Sequence, residues 1–306
     1  MPNSPLVFIH KTNIKDPPNY LRATLGVARR FNPDLDIYLL GDEGTEPYAE
    51  EAKVSFFPFK EYDNSEATKL FDRVFQLIKG PRCGQSAEWI KFVFKRWFYM
   101  YNFIQTTQHT SFWTFDSDTL ILTDLSSQQS KFTSYDCTEQ CNGACMNGFI
   151  NNLNVVKNYL ETINNLFQNE KYLNTQKKEF CTTHPDYSFT EMRAYGEYKK
   201  PGCTTNGSLR IYPPTNFNST LLQDIIAEET FDQCLVQTGK NLMVGAAPDK
   251  GYEMENGVKK LYFREGAIYL KHLDHPNLIK ANSLNMSNVP PSLWNNILTY
   301  LFSNDR

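Results

Sequence analysis

The sequence predicts an α/β fold with a mostly parallel central sheet flanked by helices, and three observations carry that expectation. Residues 5–43 read strand, helix, strand. A long aromatic-rich helix follows from Ser86. An apolar run, "FWTFDSDTLIL" at 112–122, is then interrupted by two carboxylates, Asp116 and Asp118. Strand–helix–strand within about 40 residues is the signature of a parallel sheet.

The elements follow in order. "PLVFIH" (5–10) is a compact apolar strand. "NYLRATLGVARRF" (19–31) repeats apolar residues at helical spacing, with Pro17 and Pro18 where a helix start tolerates proline. "LDIYLLGDE" (35–43) is a second buried strand ending on Gly41-Asp42, and "VSFFPF" (54–59) a third, placed at an edge or strand end by Pro58. "SEATKLFDRVFQLI" (65–78) is a helix with a serine cap. The helix from Ser86 to about Gln108 carries an apolar stripe of Trp89, Phe92, Val93, Trp97, Met100 and Ile104, leaving Glu88, Lys91, Lys95 and Arg96 for other work. A polar loop leads to "CMNGFIN" (145–151), a short strand, and then a helix. Residues 261–280 read as a strand pair before a polar connection and a terminal helix.

The 306 residues are 41% hydrophobic, enough for a substantial core, and are expected to form a single domain (1–306). The formal net charge of −3 gives no general attraction to nucleic acid or anionic membrane. No apolar run approaches the roughly 18 residues of a membrane span, and the N-terminus has no signal-peptide pattern. The expectation is a cytoplasmic protein without a transmembrane segment. Its seven cysteines read as free thiols. Cys137, Cys141 and Cys145 invite a metal or iron–sulfur reading, but Cys181, Cys203 and Cys234 supply no second cluster.

Burying an unpaired charge is costly, so Asp116 and Asp118 must be solvated, capped or bound to a cation. Three readings stand open on the residues alone. Asp-Ser-Asp is a turn capping backbone N–H groups, or a site for a hard divalent cation, or a phosphoryl-transfer nucleophile in the D-x-D-x-T pattern of haloacid-dehalogenase-type phosphatases. Asp116 lies at the C-terminal end of a buried strand, the edge at which open α/β sheets bind ligands.

Together the parallel start, the helix carrying "FKRWFYM" and "FWTFDSDTLIL" resemble the GT-A class of nucleotide-sugar glycosyltransferases, in particular bacterial-type members with an Arg-Trp-Phe helix before the motif. The resemblance implies a GT-A-like, Rossmann-like domain, with donor binding in 1–125 and acceptor binding in 126–306. It implies Mn²⁺ or Mg²⁺ as cofactor, a nucleoside-diphosphate sugar as donor (a UDP-sugar by default), and a glycan or other hydroxyl acceptor. In such enzymes the D-x-D triplet, here Asp116-Ser117-Asp118, holds the metal against the donor diphosphate. Asp118 is then the direct ligand, and Asp116 reaches the ribose or a metal-bound water.

By the same likeness, His10 and Thr12 lie where the nucleotide base is recognised, and Asn147 and Gly148 line the sugar pocket. "FTEMRAYGEY" resembles a segment usually written Asp-Met, which makes Glu191 the expected acceptor-side base. "YLKHLDHPNLIK" resembles a C-terminal His…Lys element over the diphosphate, in which His272, preferred to His275, is a third metal ligand and Lys280 or Lys271 meets the phosphates. Here the His-to-Lys spacing departs from the usual pattern. Arg82, Lys91 and Arg96 are the candidate cations near the phosphates. The alternatives are a phosphohydrolase using Asp116 and a non-catalytic sugar- or nucleotide-binding module.

Overall fold

The computed structural model describes residues 3–12, 19–200, 217–236 and 251–303. Pro17, Pro18 and Cys203 lie outside the described residues. The chain begins β1 (Leu6–His10), α1 (Asn19–Phe31), β2 (Ile37–Gly41), α2 (Glu46–Ala52), β3 (Ser55–Pro58), α3 (Glu66–Val74) and α4 (Ala87–Thr107). The middle holds β4 (Phe112–Thr114), β5 (Thr119–Ile121), α5 (Leu125–Gln128), β6 (Cys137–Gln140), β7 (Cys145–Ile150), α6 (Leu153–Gln168), α7 (Glu170–Thr182) and α8 (Glu191–Lys199). Then come β8 (Ser219–Leu221), β9 (Glu229–Phe231), β10 (Met254–Glu255), β11 (Val258–Lys259), β12 (Tyr262–Arg264), β13 (Ala267–Leu270), β14 (Ile279–Asn285) and α9 (Pro291–Ser303).

The expected α/β architecture is met. A seven-stranded sheet runs β3-β2-β1-β4-β7-β6-β8. The pairs β3/β2, β2/β1, β1/β4 and β6/β8 are parallel, while β7 is antiparallel to both neighbours. All five residues of β1 are buried, because both faces of the sheet are covered. Val7 and Ile9 pack with α4 and α6, whereas Leu6 and Phe8 pack with Leu21, Leu25 and Ala28 of α1. The period-2 alternation of a strand thus serves two cores.

Helix α4 starts where Ser86 Oγ accepts from the Trp89 N–H, and ends at Gln108 in the left-handed conformation. It is buried nearly all round rather than along one stripe, with Ile90, Phe94, Lys95, Phe98, Tyr99 and Phe103 joining the expected set. Trp89, assigned to that stripe, is instead 40% exposed. Helix α3 is shorter than its pattern and ends at Val74, where Phe75 turns extended. A third strand, β14, lies beside the β12/β13 hairpin of the C-terminal region.

The apolar run 112–122 is two strands in two sheets. β4 belongs to the seven-stranded sheet, while β5 pairs antiparallel with β14 in a second sheet, β12-β13-β14-β5, with β9 parallel to β14. The acidic triplet is the turn between them, closed by Thr119 N–H donating to Asp116 C=O at 2.9 Å. Turn and strand-end edge are therefore the same place.

Candidate active site

The strand order reverses direction at β1: the chain steps outward to β2 and β3, then returns to lay β4 on the other side of β1. Crevices of open α/β sheets form at such a switch, beyond the carboxyl ends of the two strands. His10 closes β1 and the triplet follows β4, and the two meet there: His10 Nδ1 and Ser117 Oγ are 2.8 Å apart. The His10 ring stands edge-on to Tyr20 at 5.7 Å, and burial lowers its pKa to about 4, against a smaller upward pull from Asp42. The imidazole is accordingly neutral. Thr12 donates to Asp42 through its N–H (2.9 Å) and its hydroxyl (2.6 Å), tying the loops after β1 and β2 together.

Of the polar residues that α4 leaves over, only Arg96 is seen bonded to the triplet. Glu88 pairs with Lys11. Lys91 pairs with Asp72 at 2.6 Å, and the buried Lys95 bridges Asp63 and Asp72 at 2.7 and 2.9 Å. Arg96 Nη1 donates to Asp116 Oδ1 at 2.6 Å and its Nη2 to Glu191 Oε1 at 3.0 Å. Burial opposes the guanidinium charge, but the two carboxylates outweigh it and raise the Arg96 pKa. Arg82, expected near phosphates, instead places its fork on Asp186 at 2.8 and 2.7 Å.

Glu191 begins α8 and is buried. Its Oε1 is held by Arg96, while Oε2 is buried with no hydrogen-bond partner. Burial raises its pKa, against the counter-pull of Arg96. Three residues read separately from the sequence, Asp116, Arg96 and Glu191, thus form one chain of ion pairs. Asp118 lies on the other side of the turn. Burial and then the neighbouring Asp116 charge raise its pKa to about 7, partly countered by backbone hydrogen bonding, Arg96 and the Ser287 hydroxyl.

On β7, Asn147 Nδ2 donates to Gln140 Oε1 at 2.8 Å, and its Oδ1 accepts from the Gly148 N–H at 3.0 Å. Gly148 has φ +90°, and a Cβ there would meet Leu222 Cδ2 at 2.3 Å and Thr138 Oγ1 at 2.5 Å. The position requires glycine for packing and backbone alike. Since Thr114 faces Gly148 across β4/β7, Asn147 lies one step along β7 toward the triplet.

The C-terminal expectation fails on register. Asn285, the last residue of β14, faces Thr119, so this end of the strand meets the triplet. Lys280 sits five residues earlier, about 17 Å away by strand rise, and lies 3.7 Å from Glu229. His272 follows β13, whose Leu270 pairs with Ile279 beyond Lys280, and so lies farther still. His272 stands edge-on to Tyr252 at 5.0 Å, and Lys271 donates to the carbonyls of His275 and Pro276. Among the described residues no three His, Cys, Asp or Glu side chains are grouped to hold a metal ion.

What reaches the triplet instead is the turn 285–287. Met286 N–H donates to Asp118 C=O at 3.0 Å, which brings the Ser287 hydroxyl close enough to the Asp118 carboxylate to pull its pKa down slightly. Only the polar connection after 280 hinted at these residues, and a polar loop carries no address.

No family model matches the chain, and no curated protein sequence matches it. Among solved structures it aligns with the apo form of mouse xyloside xylosyltransferase 1 at 13% identity and TM-score 0.32, over 43% of this chain and 49% of that one. It also aligns with PaToxG glycosyltransferase at 11% identity and TM-score 0.31, over 63% of this chain and 69% of that one. The match thus spans about half the length of the xylosyltransferase chain. Both are glycosyltransferases by name. No helix among the described residues is long and apolar enough to cross a membrane.

Proposed function

We propose that the chain is a metal-dependent glycosyltransferase of the GT-A type, moving a sugar from a nucleoside-diphosphate donor, by default a UDP-sugar, to a glycan or other hydroxyl acceptor. The observation that carries this reading is the placing of Asp116 and Asp118 beyond the carboxyl end of β4, at the switch beside β1. In this reading residues 1–125 bind the donor and 126–306 the acceptor within one domain.

The residues fit a hard divalent cation. The donors are carboxylate oxygens, and burial together with the neighbouring Asp116 charge raises the Asp118 pKa, a penalty on its ionised form that a bound cation would offset. Two carboxylates leave positions for diphosphate oxygens and water, the usual arrangement for Mg²⁺ with phosphate substrates. Bound there, Mn²⁺ or Mg²⁺ would offset the charge of the departing diphosphate. Asp118 would be the main ligand, because Arg96 already occupies one oxygen of Asp116.

Arg96 holds Asp116 and Glu191 in fixed orientation. Glu191, held through Oε1 by Arg96 and with its pKa raised first by burial, is the residue we assign as base for the acceptor hydroxyl proton. His10, neutral and held by Ser117, and Thr12 border the nucleotide end, while Asn147 and Gly148 border the sugar. Titration of UDP-sugars with and without Mn²⁺ tests the reading. Metal-dependent donor binding is expected, whereas turnover of a phosphomonoester without donor binding would replace it with a phosphohydrolase.

A further inference from the structure

Asp232 and Lys259 form an ion pair at 2.6 Å whose side chains are 0% and 1% exposed. Such a pair is expensive, because desolvating both charges commonly outweighs their attraction, and an apolar pair of similar size is often as stable. Lys259 sits 4.1 Å from the centroid of the Tyr252 ring, a cation–π contact that offsets part of the cost. Stability alone gives little reason to bury these charges. What Asp232 touches gives a better one.

Lys259 holds Oδ1, and Oδ2 accepts from the Asn285 N–H at 3.3 Å, at the end of β14 where the turn 285–287 grips Asp118. The Asp232 N–H donates to Ser283 C=O at 3.2 Å, on the same strand. On its other side the Asp232 carbonyl accepts from Gln140 Nε2 at 3.4 Å, and Gln140 Oε1 accepts from Asn147 at 2.8 Å. One residue therefore touches both the turn that holds Asp118 and the β6/β7 hairpin that carries Asn147.

We propose that Asp232, oriented by Lys259, is the positioning residue of the acid-pair site, fixing the Asn285–Ser287 turn and through it the Asp118 carboxylate. This rests on the metal-site reading above. Residues that hold a ligand from behind typically change metal affinity by 10- to 100-fold when removed. The geometry makes the Oδ2 acceptor, not the charge, the part that Asp118 depends on.

Two double variants separate those parts. Asp232→Asn/Lys259→Met removes both charges and keeps an oxygen for the Asn285 N–H. Asp232→Leu/Lys259→Met removes the acceptor as well. Mn²⁺ alone is the probe, its free fraction read by electron paramagnetic resonance, with melting followed in parallel. The expected result is Mn²⁺ affinity within about threefold of the parent for the first variant, and about 10- to 100-fold weaker for the second, with similar melting temperatures. Equal Mn²⁺ affinity in the two variants overturns the proposal. If the leucine variant does not fold, Asp232→Ala/Lys259→Met takes its place with the same expected ranking. A parent protein that binds no Mn²⁺ overturns the metal reading itself, a different failure from equal variants.

Discussion

Arg96 and Asp116, twenty positions apart on α4 and beyond β4, are joined at 2.6 Å, and the same guanidinium reaches Glu191 at 3.0 Å. Helix α4 thus delivers one cation to two acids that lie far apart in the sequence. That arrangement ties stability and chemistry to a single side chain.

Arg96→Met leaves the buried Glu191 carboxylate without its counter-charge. Breaking one partner of a buried pair costs about 3 kcal/mol, and the exposed edge at Asp116 places this case at the lower end. The variant is expected to melt several degrees lower and to lose transfer activity. Arg96→Lys, which cannot span both acids with a fork, is expected to regain stability better than activity. Equal recovery of both properties would count against the orienting role.

Asp118→Ala removes the proposed metal ligand at a half-buried turn while its backbone bond to Met286 remains. Donor binding measured by calorimetry should lose its Mn²⁺ dependence, while the melting temperature in metal-free buffer stays within a few degrees of the parent. Unchanged Mn²⁺-dependent affinity would remove Asp118 from the site.

His10 and Asp118 drive stability in opposite directions with pH. The folded-state pKa of His10 is about 4 against an ordinary 6.5, so between these values the unfolded chain binds the extra proton and stability falls as pH drops. The full span is worth about 3 kcal/mol. Asp118 has a folded pKa of about 7 against 3.8, so in that window the folded chain binds the extra proton and stability rises as pH drops. His10→Gln should therefore leave a melting temperature that climbs from pH 7 toward pH 4 more than the parent does, and Asp118→Asn one that declines more. Superimposable melting profiles for all three proteins would refute both assignments.

Gly148→Ala puts a methyl group where Leu222 Cδ2 and Thr138 Oγ1 already lie, on a residue with φ +90°. Strain and overpacking together are expected to cost about 2 kcal/mol or more. Thermal unfolding measures it, and a loss below about 0.5 kcal/mol would show that the hairpin yields easily.

Glu191→Gln keeps the shape and the Arg96 contact but cannot take a proton. Under saturating donor and acceptor, kcat should fall at least about a hundredfold with little change in donor affinity. Full activity would leave Glu191 a structural partner of Arg96 and reassign the base.

The sequence by itself determined the parallel β1, β2 and β3 order, the long helix α4 and the position of the acid pair at a strand end. These rest on local periodicity and on carboxylates that a core cannot bury unpaired, both written in consecutive residues. It also named Arg96 and Glu191 without showing that they meet. Only the tertiary structure decided which C-terminal residues reach the triplet. Residue chemistry favoured His272 and Lys280, but the antiparallel register of β14 on β5 brings Asn285 to Thr119 and carries Lys280 about 17 Å away. It likewise decided that Asp232 and Lys259, unremarkable in a loop-rich stretch, become a buried pair behind the site. The physical reason is that strand register and long-range ion pairs are set by the packing of whole sheets, an energy shared among many distant residues and absent from any short window of the chain.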